Sequence, residues 1–124
     1  MKTINKELFN STTLIKLVLF LFLGVFTTGQ LKSQSSYTIN TVGSTFSPSS
    51  LTINVGDTVT WNNTGGSHNV NGTQATFPNN PQGFSNGAPS SAPWSFQWIF
   101  TLAGTYDYQC DPHAPGMSGV IIAN

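Results

Sequence analysis

The sequence predicts an all-β fold, a sandwich or barrel of short strands, on three observations. Apolar residues recur at every second position in four separate runs. All 7 prolines and 10 of the 12 glycines fall after residue 40, where they punctuate those runs. No stretch of that region carries a helical period. Leu51, Ile53 and Val55 alternate with polar partners and form the first clear run, each placed to face inward. Gly56-Asp57 follows as a tight-turn signal, leading into the alternation of Val59 and Trp61. From Asn71 to Pro93 the pattern lapses into a stretch rich in Pro, Asn, Gly and Ser. A stretch of that length without an element is unusual in a compact domain, so a short irregular strand or turn is expected around Phe77 or Phe84, whose rings need somewhere to pack. Alternation returns at Trp94, Phe96, Trp98 and Phe100, and again at Tyr106, Tyr108 and Cys110.

The beginning of the chain belongs to a different class of segment. Leu17 to Phe26 is a ten-residue apolar run, preceded by three lysines and followed by small polar residues, which is the layout of a secretory signal peptide. A helix of that length rises about 15 Å, roughly half the hydrocarbon core of a bilayer, so an uncleaved anchor is the lesser alternative. Small residues suit cleavage after Gly29, Ser33 or Ser35. The expected organisation is a signal over 1–35 and one domain over 36–124, exported to a periplasmic or extracellular space. Any membrane attachment would come only through an uncleaved signal.

Charge excludes several functions. The 124 residues carry 4 Lys+Arg and 4 Asp+Glu, but every lysine lies at or before Lys32, and the remainder holds only Asp57, Asp107 and Asp111. A domain without cations is no nucleic-acid binder and no polybasic membrane-surface module. A small exported domain would commonly rely on disulfides, yet there is one cysteine.

That cysteine is part of the chemistry. The chain has two histidines, His68 and His113, and Met117 is its one methionine besides Met1. Cys110, His113 and Met117 share the eight-residue stretch Cys110-Asp111-Pro112-His113-Ala114-Pro115-Gly116-Met117. Taken singly, a cysteine after alternating aromatics reads as a small buried hydrophobe, His68 as an exposed loop residue and Met117 as core filling. Jointly, a thiolate, two imidazoles and a thioether at the ends of predicted strands form a soft donor set. Such a set selects copper or zinc, and His₂Cys with a distant Met is the blue-copper combination. Ligation would also protect a lone thiol in an oxidising compartment.

The residues from Phe46-Ser47-Pro48 through Leu51 to Asn63, with His68-Asn69-Val70, then Gly104 to His113 and Gly116 to Gly119, resemble the cupredoxins, and among them the plastocyanin-like proteins. The resemblance implies an eight-stranded Greek-key β-sandwich or flattened barrel with one copper ion at one end. It implies His68, Cys110 and His113 as equatorial ligands and Met117 as the weak axial one. Asn69 would tie the two ligand loops together near the thiolate. The sequence departs from plastocyanins in two places. Three residues, not four, separate His113 from Met117, and Gln109 stands where photosynthetic plastocyanins carry tyrosine before the cysteine.

The expected function is a copper electron carrier cycling between Cu(I) and Cu(II), with redox protein partners docking weakly at the apolar end formed by Pro112, His113, Ala114, Pro115 and Gly116. No small-molecule substrate is expected. A copper-binding or storage module without turnover would use the same ligands. An enzyme is not expected: a multicopper oxidase needs further histidines, and a single-copper catalyst would want a carboxylate ligand, for which Asp111 is the one nearby candidate but points elsewhere on the loop.

Overall fold

The computed structural model describes residues 32–124; the expected signal lies outside the described residues except for its last four positions. Nine strands form two mixed sheets: β1 (Ser36–Val42), β2 (Thr45–Ser47), β3 (Ser50–Ile53), β4 (Thr58–Asn63), β5 (Asn71–Gly72), β6 (Phe84–Ser85), β7 (Trp94–Ile99), β8 (Gly104–Gln109) and β9 (Ser118–Ala123). One sheet has the order β2-β1-β4-β7, the other β3-β9-β8-β5-β6. The sandwich is as expected and its strands are divided more finely, because β5 and β6 are two-residue pieces within the Pro- and Asn-rich stretch. Among the described residues, no helix is long and apolar enough to cross a membrane.

Alternation in sequence becomes an inner face and an outer face. In β4, Val59, Trp61 and Asn63 are buried while Thr58, Thr60 and Asn62 are partly exposed. Trp61 sits at the centre of the core, stacked between Phe84 and Phe96 at 5.6 Å each and meeting the Tyr108 ring edge-on at 5.4 Å. Phe84, buried from the strand piece β6, is the packing point that the irregular stretch was expected to contain. Asn80 orders the rest of that stretch. Its Oδ1 accepts the Asp107 N–H at 2.8 Å and its Nδ2 donates to the Asp107 and Gly72 carbonyls, so a side-chain amide extends the pairing along β8.

Val55 departs from the inward pattern and is 37% exposed. Asp57 N–H donates to the Asn54 carbonyl at 3.0 Å, and Gly56 takes a φ of +96°. These mark a type II turn that carries Val55 out of the strand; the positive φ at its third position is why glycine is needed there. Buried Asp57 fixes this end of the sandwich, its carboxylate accepting the Asn54 and Ser35 N–H groups at 2.8 Å each. The opposite end, where β4 and β8 finish and β9 begins, carries the chemistry.

Candidate metal centre

Two loops meet there. The first leaves β4 at Asn63 and is shaped by that buried side chain. Asn63 Oδ1 accepts the Gly65 N–H and the Thr41 hydroxyl, and its Nδ2 donates to the Gly66 carbonyl at 3.0 Å. Gly66, at φ +87°, lets the backbone pass directly under the His68 ring. His68 is then held by backbone bonds in both directions with Ser90 and by the Trp94 indole N–H, which donates to the His68 carbonyl at 3.2 Å.

The second loop runs from Cys110 through a 3₁₀ turn (Asp111–His113) to Met117. It is closed on itself: Cys110 N–H donates to the Met117 carbonyl at 2.9 Å, and Met117 N–H to the His113 carbonyl at 3.0 Å. The three-residue His113 to Met117 spacing is accommodated by these bonds, with Met117 fully buried.

Cys110 Sγ lies 3.6 Å from His68 Nδ1 and 3.4 Å from His113 Nδ1. The donor atoms of all three lie within 4.8 Å of one another. Metal–sulfur and metal–nitrogen bonds of about 2.3 and 2.0 Å, at angles of about 100 to 120°, place such donors roughly 3.3 to 3.8 Å apart. The residues therefore fit a single ion. Asp111 is not in the cluster, in keeping with its direction on the loop.

Electrostatics also suit a metal. Burial, and then the neighbouring His113, hold the His68 imidazole below its usual pKa. Burial pushes the Cys110 thiol up, and Asp111 adds to this, against the backbone N–H groups of Asn69 and His113, which favour the thiolate. Without metal the site holds a neutral thiol, and binding must displace its proton. Tyr108, two residues before the cysteine, is pushed up to about 12 by burial, partly offset by the Trp61 indole. The indole is not close or aligned enough for an ordinary hydrogen bond, and among the described residues the Tyr108 hydroxyl completes none.

The sequence-predicted residues thus assemble: His68, Cys110 and His113 converge, Met117 lies buried on the same loop, and Asn69 bridges the loops. Asn69 Oδ1 accepts the Asp111 N–H at 2.8 Å, and its Nδ2 donates to the Asp111 carboxylate at 2.7 Å and to the Gly87 carbonyl at 2.9 Å. In the sequence nothing marks Asn63, Ser90 or Trp94 as site residues, and the Gly65-Gly66 pair before His68 is the one signal of a close approach there.

This arrangement defines a cupredoxin. Residues 33–124 match the model of the copper binding proteins of the plastocyanin/azurin family, and the chain belongs to that family. It is 43% identical over 81 residues to plastocyanin of Scenedesmus fuscus, covering 61% of this chain and 83% of that one. It is 35% identical over 92 residues to plastocyanin A/B of Petroselinum crispum, with 66% and 90% covered. Among solved structures, an oxidised methionine-to-leucine variant of amicyanin superposes with a TM-score of 0.59 at 30% identity, covering 71% of this chain and 81% of that chain. Copper is accordingly the cofactor, and the family is one of electron-transfer proteins.

Proposed function

We propose that the protein is an exported one-electron carrier and not an enzyme, with His68, Cys110 and His113 as equatorial copper ligands and Met117 as the axial one. The observation that carries this reading is the convergence of one sulfur and two imidazole nitrogens at the end of the sandwich, with one imidazole reaching the surface. A bound copper would supply the Cu(I)/Cu(II) couple. The chain supplies the rest. Cys110 gives a covalent route from the centre into β8, and burial of Cys110 and Met117 keeps water from their sulfurs. His113 is half-buried among exposed Pro112, Ala114, Pro115 and Gly116, so its ring edge is the short path to a redox protein docked on that uncharged rim. Such contacts are typically small, below about 1,200 Å².

Export is supported by the N-terminal apolar run. We place the mature start at or before Gln34, because the Gln34 side chain donates to the Gly56 carbonyl at 2.7 Å and Ser35 caps Asp57. Cleavage after Ser35 would remove both.

The test is a visible spectrum. Loaded with Cu(II), residues 34–124 should bind one ion and turn intensely blue through a thiolate-to-copper transition, and should exchange electrons with small redox mediators. Cys110→Ser should abolish the colour. Retention of colour and stoichiometry in that variant would refute the ligand assignment, and a blue protein inert to electron exchange would favour storage.

A further inference from the structure

Asn69 orders the two ligand loops, but its own orientation depends on Asp111. The Asp111 carboxylate accepts three side-chain amides from two segments. Oδ2 takes Asn69 Nδ2 at 2.7 Å, and Oδ1 takes Asn71 Nδ2 at 2.8 Å and Gln109 Nε2 at 3.2 Å. Two acceptors, the Asp111 carboxylate and the Gly87 carbonyl, face one end of the Asn69 carboxamide, and one donor, the Asp111 N–H, faces the other. That pattern admits a single amide orientation. Asn71 is fixed again from behind, since its Oδ1 accepts the Thr73 N–H and hydroxyl at 3.1 and 2.9 Å. The carboxylate therefore holds the segment 69–71 against the Cys110-Asp111 peptide at both ends of that segment.

The geometry points to Asp111 as a positioning residue for the copper thiolate: its carboxylate clamps Asn69 and Asn71 so that the segment following His68 stays seated against the Cys110-Asp111 peptide. This rests on the copper reading above and deepens it. Hydrogen bonding at the cysteine sulfur tunes the potential of such centres. The Asn69 backbone N–H on that segment favours the Cys110 thiolate, and such an N–H stabilises charge on the sulfur, weakens its donation to Cu(II) and raises the potential. Loosening the clamp should therefore lower the potential. The negative charge of the carboxylate acts with the opposite sign, since removing an anion near the metal favours Cu(I). Asp111 is exposed, and among the influences on the Cys110 thiol its charge ranks below both backbone N–H groups, so the bonding contribution should win.

Opposite signs make the test decisive. Asp111→Ala is compared with wild type and with the exchange variant Asn71→Asp/Asp111→Asn, all copper-loaded. The exchange keeps the charge, the 71–111 bond and an acceptor for Asn69. At a fixed ambient potential, Asp111→Ala should lower the Cu(I)/Cu(II) ratio about threefold or more, equivalent to roughly 28 mV at 59 mV per decade. It should also shift the thiolate charge-transfer band and speed copper release to a chelator. The exchange variant should restore all three readouts. An unchanged or raised Cu(I)/Cu(II) ratio in Asp111→Ala would overturn the clamp, and so would a fall that the exchange leaves uncorrected. Failure of the underlying copper assignment looks different: wild type itself would then lack a Cys110-dependent band.

Discussion

Replacing Gly66 by alanine should damage the metal centre far more than the fold. A Cβ at this position would lie 2.6 Å from His68 Nε2 and 3.1 Å from its Cδ2. Restoring ordinary contact, about 3.5 Å between heavy atoms, requires the imidazole to retreat by about 0.9 Å. A ligand distance tolerates only about 0.2 Å. The loop cannot easily move instead, because Asn63 Nδ2 holds the Gly66 carbonyl at 3.0 Å and Asn63 Oδ1 holds the Gly65 N–H at 3.2 Å. Alanine at φ +87° also costs about 1 to 2 kcal/mol of backbone strain.

The two costs can be separated with Gly43, which has φ +55° and nothing within 4 Å of a built Cβ. Gly43→Ala should lower the metal-free melting temperature by several degrees, at about 4 to 8 °C per kcal/mol, and leave copper binding alone. Gly66→Ala should show a similar loss of stability and, in addition, weaken copper binding about 10- to 100-fold, the range seen when the support of a ligand is removed. Competition against a chromogenic Cu(I) chelator gives the affinity, and the visible band reports ligand geometry. Wild-type affinity and an unshifted band in Gly66→Ala would refute the steric argument. Equal weakening by Gly43→Ala would show that strain alone is responsible.

Two further outcomes follow from the ligand assignment and the charge distribution. Met117→Leu should raise the reduction potential while copper stays bound, since a weak axial donor tunes the couple more than it retains the ion; voltammetry with metal analysis checks this, and complete copper loss would make Met117 a principal ligand. Residues 33–124 carry three aspartates and no lysine or arginine, so long-range steering should be slight and association with a redox partner should fall near about 10⁵ to 10⁶ M⁻¹s⁻¹. Stopped-flow rates should change only a few-fold with ionic strength and drop strongly on Ala114→Glu; steep salt dependence with indifference to Ala114→Glu would move the contact to an aspartate.

The sequence made legible what repeats or is rare. Strands β3, β4, β7 and β8 carry alternation, and the donor residues stand out because residues 33–124 hold so few of them. Strand β9 carries no comparable signal, and β1 carries only the short alternation of Tyr37 and Ile39. β1 reads Ser-Tyr-Thr-Ile-Asn-Thr-Val and pairs in parallel with β4, while β9 places Val120, Ile121 and Ile122 consecutively and pairs in parallel with β3. Parallel partners are remote in sequence, so no turn announces them. Ile122 breaks the apolar-in rule by facing outward at 36% exposure. Asn63, Asn69 and Asn80 are each at most 2% exposed, yet in sequence a buried asparagine is indistinguishable from a loop one. Resemblance supplied Asn69; Asn63 and Asn80 could emerge only from the hydrogen bonds they make.

Those buried amides explain how a centre on loops can be stiff. Loops are ordinarily the mobile part of a sandwich, and ligands placed on them would drift between the preferences of Cu(I) and Cu(II). Here each loop is tied by its own device. Asn63, Ser90 and Trp94 hold the His68 loop, and the Cys110 to Met117 loop closes through its backbone. Asn69 and Asp111 then fasten one loop to the other, so the relative placement of His68 and Cys110 does not depend on the metal. The ordering entropy is spent in folding, before copper arrives. A site fixed in this way changes little when an electron enters or leaves, which is what a carrier requires. The same fixity makes it intolerant of small errors in its supports. A single methyl at Gly66, outside the ligand set and on the surface, is therefore expected to matter more to copper than a larger change on the exposed faces of the sheets.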